Sequence, residues 1–122
     1  MGSTTFSGPV TSTNGFIGTI SGAVKGDVQT VTTSTAANIT TLSTVMAPPG
    51  AGDLAITLAD GYVGQLKILT VSSTGGGAAV VTPATFANGA TLTFNAAADT
   101  CMLLFVATVG WTLVSDRSVA VA

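Results

Sequence analysis

Leu54-Ala55-Ile56-Thr57-Leu58 is followed by the turn signal Asp60-Gly61 and then by Gly64-Gln65-Leu66-Lys67-Ile68-Leu69-Thr70-Val71. The first run alternates large apolar with small or polar residues. A period of two places successive side chains on opposite faces of an extended strand. Asp-Gly is a turn pair because both residues tolerate the left-handed backbone. In the second run Leu66 and Ile68 point one way and Lys67 the other. Two strands around a turn decide for β structure, and the same grammar continues in both directions.

Downstream, Ser72 to Gly77 is a loop, and Ala78 to Thr82 is a short strand stopped by Pro83. Asn88-Gly89 turns into Thr91-Leu92-Thr93-Phe94, and Ala98-Asp99 turns into Thr100 to Val106. Gly110 to Val114 pairs back across Ala107 to Val109 as a hairpin. Upstream, Pro48-Pro49-Gly50-Ala51-Gly52 is a break. Asn38 to Met46 reads as a strand or bent strand, and Val28 to Thr33 is rich in β-branched residues. Seven to eight short strands at this spacing predict an all-β chain, a single small β-sandwich or a jelly-roll-like barrel. That body covers residues 27–122.

Residues 1–26 differ. Single apolar anchors, Phe6, Pro9, Val10, Phe16, Ile17, Ile20 and Val24, are spaced by glycine, serine and threonine. A short Gly-x-aliphatic-x repeat covers Gly18-Thr19-Ile20, Gly22-Ala23-Val24 and Gly26-Asp27-Val28. A glycine in each unit would cost a helix about 1 kcal/mol apiece. The segment is therefore expected to be an extended arm, too sparse in apolar groups to bury them alone, that docks on another surface.

Eight of 122 residues are charged: Lys25, Asp27, Asp53, Asp60, Lys67, Asp99, Asp116 and Arg117. Hydrophobic residues make up 47%, as in ordinary globular chains, whereas charge normally reaches about 25%. Polarity comes instead from 22 Thr and 10 Ser. Three cations cannot neutralise many phosphates, so nucleic acid is not an expected partner. The scarcity of Glu, Gln, Lys and Arg disfavours helical bundles, and ordinary hydrophobicity disfavours disorder. A monomer of this mass exposes roughly 6,000 Å², or about one charge per 700–750 Å² here. Such a surface, with strand edges that lack charge or proline, is expected to be covered by partner subunits.

Chemistry is sparse. With neither His nor Glu, the commonest general bases are missing and no Ser-His-Asp triad can form within the chain. Cys101 has no histidine to activate it and reads as a buried thiol. Asp53 and Asp60 flank one strand and are the nearest carboxylate pair, but both sit at turn positions. Gly75-Gly76-Gly77 lacks the lysine of a phosphate loop, and Lys25-Gly26-Asp27 reads as a polar turn. No enzyme activity, cofactor, metal or small-molecule substrate is expected. Met1 to Val10 has neither the basic nor the apolar region of a signal peptide. The apolar stretch from Cys101 to Val114 is too short to span a membrane as a helix, so no membrane partner is expected. Trp111, Leu113 and Tyr62 are the candidates for a subunit interface. Phe94, Phe105 and Trp111 equally suit the core, but a Trp in a chain this small is rarely fully buried.

The strand-and-turn blocks are similar to those of a known group. Gly64-Gln65-Leu66-Lys67-Ile68-Leu69, Val80-Val81-Thr82-Pro83, Phe86-Ala87-Asn88-Gly89, Thr91-Leu92-Thr93-Phe94-Asn95 and Cys101 to Phe105 with Gly110-Trp111-Thr112-Leu113-Val114 resemble small β-rich structural proteins of tailed bacteriophages. Phe6-Ser7-Gly8-Pro9-Val10 with Asn14-Gly15-Phe16 resembles their N-terminal segment. The resemblance covers residues 6–18 and about 60–114. The chain departs from the pattern in having Asp99 alone as an acidic residue between the Phe94 and Cys101 strands. Size and the free-standing body with an arm are closest to the capsid decoration, or cement, proteins. That resemblance implies a homotrimer on the outer surface of a virion head, made in the host cytoplasm and bridging neighbouring major capsid protein subunits. The alternative it leaves is a tail- or fibre-associated module that binds a host receptor or glycan.

Overall fold

A computed structural model describes residues 2, 5–9, 11, 13, 19, 21–23 and 25–122. It is all-β, with no helix among these residues, and consists of two five-stranded mixed sheets packed as a sandwich. The ten strands are β1 (Val28–Val31), β2 (Thr35–Ala37), β3 (Ser43–Met46), β4 (Leu54–Leu58), β5 (Leu66–Val71), β6 (Ala79–Pro83), β7 (Leu92–Phe94), β8 (Thr100–Val106), β9 (Gly110–Arg117) and β10 (Ala120–Val121). Sheet I runs β1-β3-β5-β8-β9 and sheet II runs β10-β7-β6-β4-β2.

The first six strands alternate between the sheets. β1, β3 and β5 stack in parallel in sheet I, while β2, β4 and β6 stack in parallel in sheet II. The chain crosses from one layer to the other with every strand, and the last four strands add antiparallel neighbours to both sheets. This interleaving differs from a jelly roll, whose sheets are antiparallel. Ten strands replace the seven to eight expected. The two additions, β2 and β10, are three and two residues long, too short to show a period. Residues 38–42 form a loop, so the bent strand expected over Asn38 to Met46 reduces to β3.

The core lies between the sheets. Leu54, Ile56 and Leu58 of β4 face Met46 of β3, Leu69 and Val71 of β5, and Leu103 of β8 across the sandwich, with Val81, Leu92, Phe94 and Trp111 completing it. Each of these is at most 3% exposed. On β5 the inward parity is Lys67, Leu69 and Val71, so Leu66 and Ile68 form part of the outer face.

Both open sides of the sandwich are closed. On one side Gln29 of β1 reaches across to the edge of β2. Its amide nitrogen donates to Ala36 O (3.2 Å), and its oxygen accepts Asn38 N (2.7 Å) and the buried Thr44 hydroxyl (3.1 Å). On the other side the segment after β6 lies along β9. Trp111 N donates to Thr85 O, Ala87 N to Trp111 O, and Leu113 N to Asn88 Oδ1. The outer half of β9 carries Asp116 and Arg117. The edges are therefore guarded by a glutamine, a covering loop and a pair of charges, contrary to the expectation of unprotected edges.

Candidate docking surfaces

Four of the aspartates are engaged within the chain, three on backbone amides and Asp60 on a hydroxyl. Asp99, 4% exposed, accepts the amides of Asn95 (2.8 Å) and Ala96 (2.9 Å) and shapes the turn between β7 and β8. Asp53 accepts Ala78 N, Asp60 the Thr85 hydroxyl and Asp116 Val119 N. Asp53 and Asp60 stand at opposite ends of β4, about 20 Å apart at the rise of a strand. A glycosidase pair needs about 5–9.5 Å. Among the described residues no three His, Cys, Asp or Glu side chains gather in one place.

Two titratable groups are perturbed by burial. The Cys101 thiol faces the core from β8 and is pushed up to about 12, first by desolvation and then by the Asp116 carboxylate. Lys67 is fully buried, and desolvation lowers its ammonium to about 8. Its Nζ donates to Asn38 O (2.8 Å), Thr41 O (2.8 Å) and Thr41 Oγ1 (3.0 Å). Three donors thus meet three neutral oxygens.

The outer faces of both sheets are nearly free of charge. Sheet II presents Ala36, Ala55, Thr57, Val80, Thr82, Thr93 and Ala120, a flat face of small residues. Sheet I presents larger groups in register across the strands. Ser43, Ile68, Met102 and Ser115 form one row, and Leu66, Leu104 and Thr112 form another. Arg117 is its one charge, at the far end of β9.

Beside Val28, Val114 and Val121 on the strands, four exposed apolar groups gather at one end of the sandwich. Tyr62 and Val63 are each 72% exposed, Leu66 44% and Val109 45%. They belong to the loop after β4, the start of β5 and the β8–β9 turn. Gly64 N donates to Phe105 O, and Phe105 N to Gln65 O, which sets that loop beside the end of β8. The Gln65 side chain accepts Tyr62 N and donates to Ile39 O, holding the loop in place. The arm joins the body at this end, where Gly26 packs so closely on Leu42 that a Cβ there would overlap its side chain. The opposite end carries Asp53, Asp99, Asp116 and Arg117 among glycine, serine and threonine.

The expected interface residues separate. Tyr62 is on the surface. Leu113 is half-buried and packs against the core. Trp111 has no exposed surface in the single chain, so its side chain is not available to a neighbour. Its indole nitrogen donates to Ala59 O (2.9 Å), and its ring meets Phe105 edge-on at 5.2 Å. Of the expected arm anchors, Phe6 is 68% exposed and Pro9 is exposed. Val10, Phe16, Ile17, Ile20 and Val24 lie outside the described residues. Val63 and Val109 were not singled out from the sequence. Their signal is weak there, because an isolated valine beside a turn is normal surface. Compared with known proteins, the chain matches no family model, no curated protein and no solved structure.

Proposed function

We propose that this chain is a structural virion protein, a decoration protein that assembles as a homotrimer on a phage head and bridges neighbouring major capsid protein subunits. The observation that carries the reading is the surface. Two sheet faces almost free of charge meet an apolar, arm-bearing end that exposes Tyr62, Val63, Leu66 and Val109. The aspartates support the same reading, because four of the five are engaged in hydrogen bonds within the chain.

In this reading the arm anchors seat on the capsid, and the Tyr62 end meets a second copy. Each contact is modest, and many copies on one shell hold by avidity. The alternative tail or fibre module would stack aromatic rings on sugars. With Trp111 enclosed, Tyr62 and Phe6 are the aromatics with more than two thirds of their surface exposed among the described residues, which favours the capsid reading.

Decorated heads provide the test. Attachment that is apolar and backbone-bonded withstands about 1 M salt, where the screening length falls to about 3 Å. Release of the protein by salt alone, or electron micrographs that place it on the tail, would overturn the proposal.

A further inference from the structure

Lys67 occupies an unusual position. Its ammonium lies between the sheets, and all three of its hydrogen bonds go to one segment, residues 38–42, through Asn38 and Thr41. No counter-charge faces it from the elements packed around it. β1 to β4 and β6 to β8 carry no charged side chain, and Cys101 of β8 is their one titratable group. Lys25, Asp27, Asp60 and Tyr62, on the adjoining stretches, are exposed, and Asp116 and Arg117 of β9 lie at the other end of the sandwich.

Residues 38–42 also end in Leu42, whose carbonyl accepts Ile68 N and whose side chain is the seat of Gly26. The next residue, Ser43, donates its amide to Asp27 O. One short segment therefore covers a buried charge on one side and holds the root of the arm on the other. Covering an ammonium without a counter-ion is costly, and three neutral oxygens offset the cost only in part. Gln29 Oε1 on Asn38 N and Gln65 Nε2 on Ile39 O also hold the segment, so opening trades these bonds for hydration of the ammonium.

We propose that residues 38–42 are a latch over the Lys67 ammonium, and that lifting it both hydrates Lys67 and frees the arm root at Gly26. The direction of its pH response follows from linkage. In water the amine holds its proton up to its ordinary value of 10.5, whereas under the latch it gives the proton up near 8. Between these values the closed form binds fewer protons, so rising pH favours closure, by about tenfold per pH unit at the steepest. Below about pH 8 the response to this group is flat, and opening is at its easiest. The latch is a property of the single chain and does not depend on what the arm binds.

Trypsin on the whole native chain reads the latch. Lys25 and Arg117 are both exposed. Cutting at Lys25-Gly26 requires the arm root to leave Leu42, and cutting of an unstructured arginyl peptide added to the same digest supplies the reference for the activity of the protease, since Arg117 is paired in β9. Under conditions where reclosing outpaces cleavage, the ratio reports the open population. The ratio of the first cut to the second should fall by at least about fivefold between pH 7.5 and 9.5, and in Lys67→Met it should not vary with pH, whatever its level. The carbon-13 shift of the Lys67 Cε should titrate near pH 8 in the wild-type chain. A constant ratio in the wild type, a ratio that still changes in Lys67→Met, or a Lys67 midpoint above pH 10 would each overturn the latch. The two wild-type measurements stand even if the variant does not fold.

Discussion

Trp111→Phe tests how the sandwich is closed. The indole is completely enclosed, its N–H bonds Ala59 O at 2.9 Å, and its six-membered ring lies so close to Gly61 that a Cβ there would stand 2.7 Å from Cζ2. Phenylalanine keeps an aromatic ring near Phe105 but removes the donor and part of the volume. Losing the hydrogen bond and leaving the carbonyl without its partner costs about 1–2 kcal/mol. A void of a few tens of Å³, at about 24 cal/mol per Å³, together with the lost transfer energy adds about 1–2 kcal/mol. The expected loss is about 3 kcal/mol. In urea, with a slope of about 1–3 kcal/mol per molar, the midpoint should fall by about 1–3 M with the slope unchanged. Far-UV circular dichroism is the assay, since the substitution removes the only tryptophan. The wild-type chain adds a second reading. Emission from an enclosed indole should be blue-shifted and independent of protein concentration. A loss below about 1 kcal/mol, or an emission maximum that moves on dilution, would refute the enclosure of Trp111 and return it to a subunit contact.

Three further outcomes are expected. Because the Lys67 ammonium is lowered to about 8 in the folded chain, the unfolded chain binds the extra proton between about pH 8 and 10.5. Lys67 should therefore raise the unfolding free energy across that window by up to roughly 3 kcal/mol, read as the difference between the wild-type chain and Lys67→Met, whereas Cys101, kept protonated to about 12 in the folded chain, lowers it above about pH 9 in both; chemical denaturation at a series of pH values measures the difference. Cys101, held near 12 and 3% exposed, should react with iodoacetamide at pH 8.5 at least about a hundredfold more slowly in the native than in the urea-unfolded chain, and comparable rates would contradict its burial. Gly110 has a φ of 84°, and a Cβ there would lie 2.5 Å from Thr85 O, so Gly110→Ala should lose more than about 2 kcal/mol in scanning calorimetry, whereas a neutral result would mean that the segment over β9 yields readily.

Much of the framework is legible in the sequence, in particular where strands alternate strictly. β4, β5, β8 and the β8–β9 hairpin fall where period and turn residues place them. Alternation, however, fixes only which residues share a face, not which face lies inside. On β5 both parities hold large apolar residues, Leu66 and Ile68 against Leu69 and Val71, and the presence of Lys67 in the inward set gives no local sign of its three distant acceptors. Asp116 and Arg117 lie just past the strand read from Gly110 to Val114, yet they belong to β9. The partner of Trp111 is 52 residues away, so its enclosure has no local signature, and general experience with small chains pointed outward. Gln29 reads as one polar residue in a β-branched run, although it closes a side of the sandwich. For the candidate site, Tyr62 was legible as a large aromatic beside a turn. The patch around it was not, because its members come from three separate stretches that only the pairing of β5 with β8 brings together.

The alternation of β1 to β6 between the two layers has a kinetic consequence. Neither sheet is a continuous length of chain, so neither can be completed while the other is absent. The parallel neighbours β3 and β5 are joined through β4 in the opposite layer, and loop-closure entropy must be met before pairing returns any energy. Refolding should therefore take milliseconds to seconds, as in other non-local β topologies, with both layers forming in one transition. The same interlock works in reverse. A strand cannot peel from one layer without disturbing its chain neighbours in the other, which suits a chain whose persistence is governed by a slow escape rate rather than by the depth of its stability.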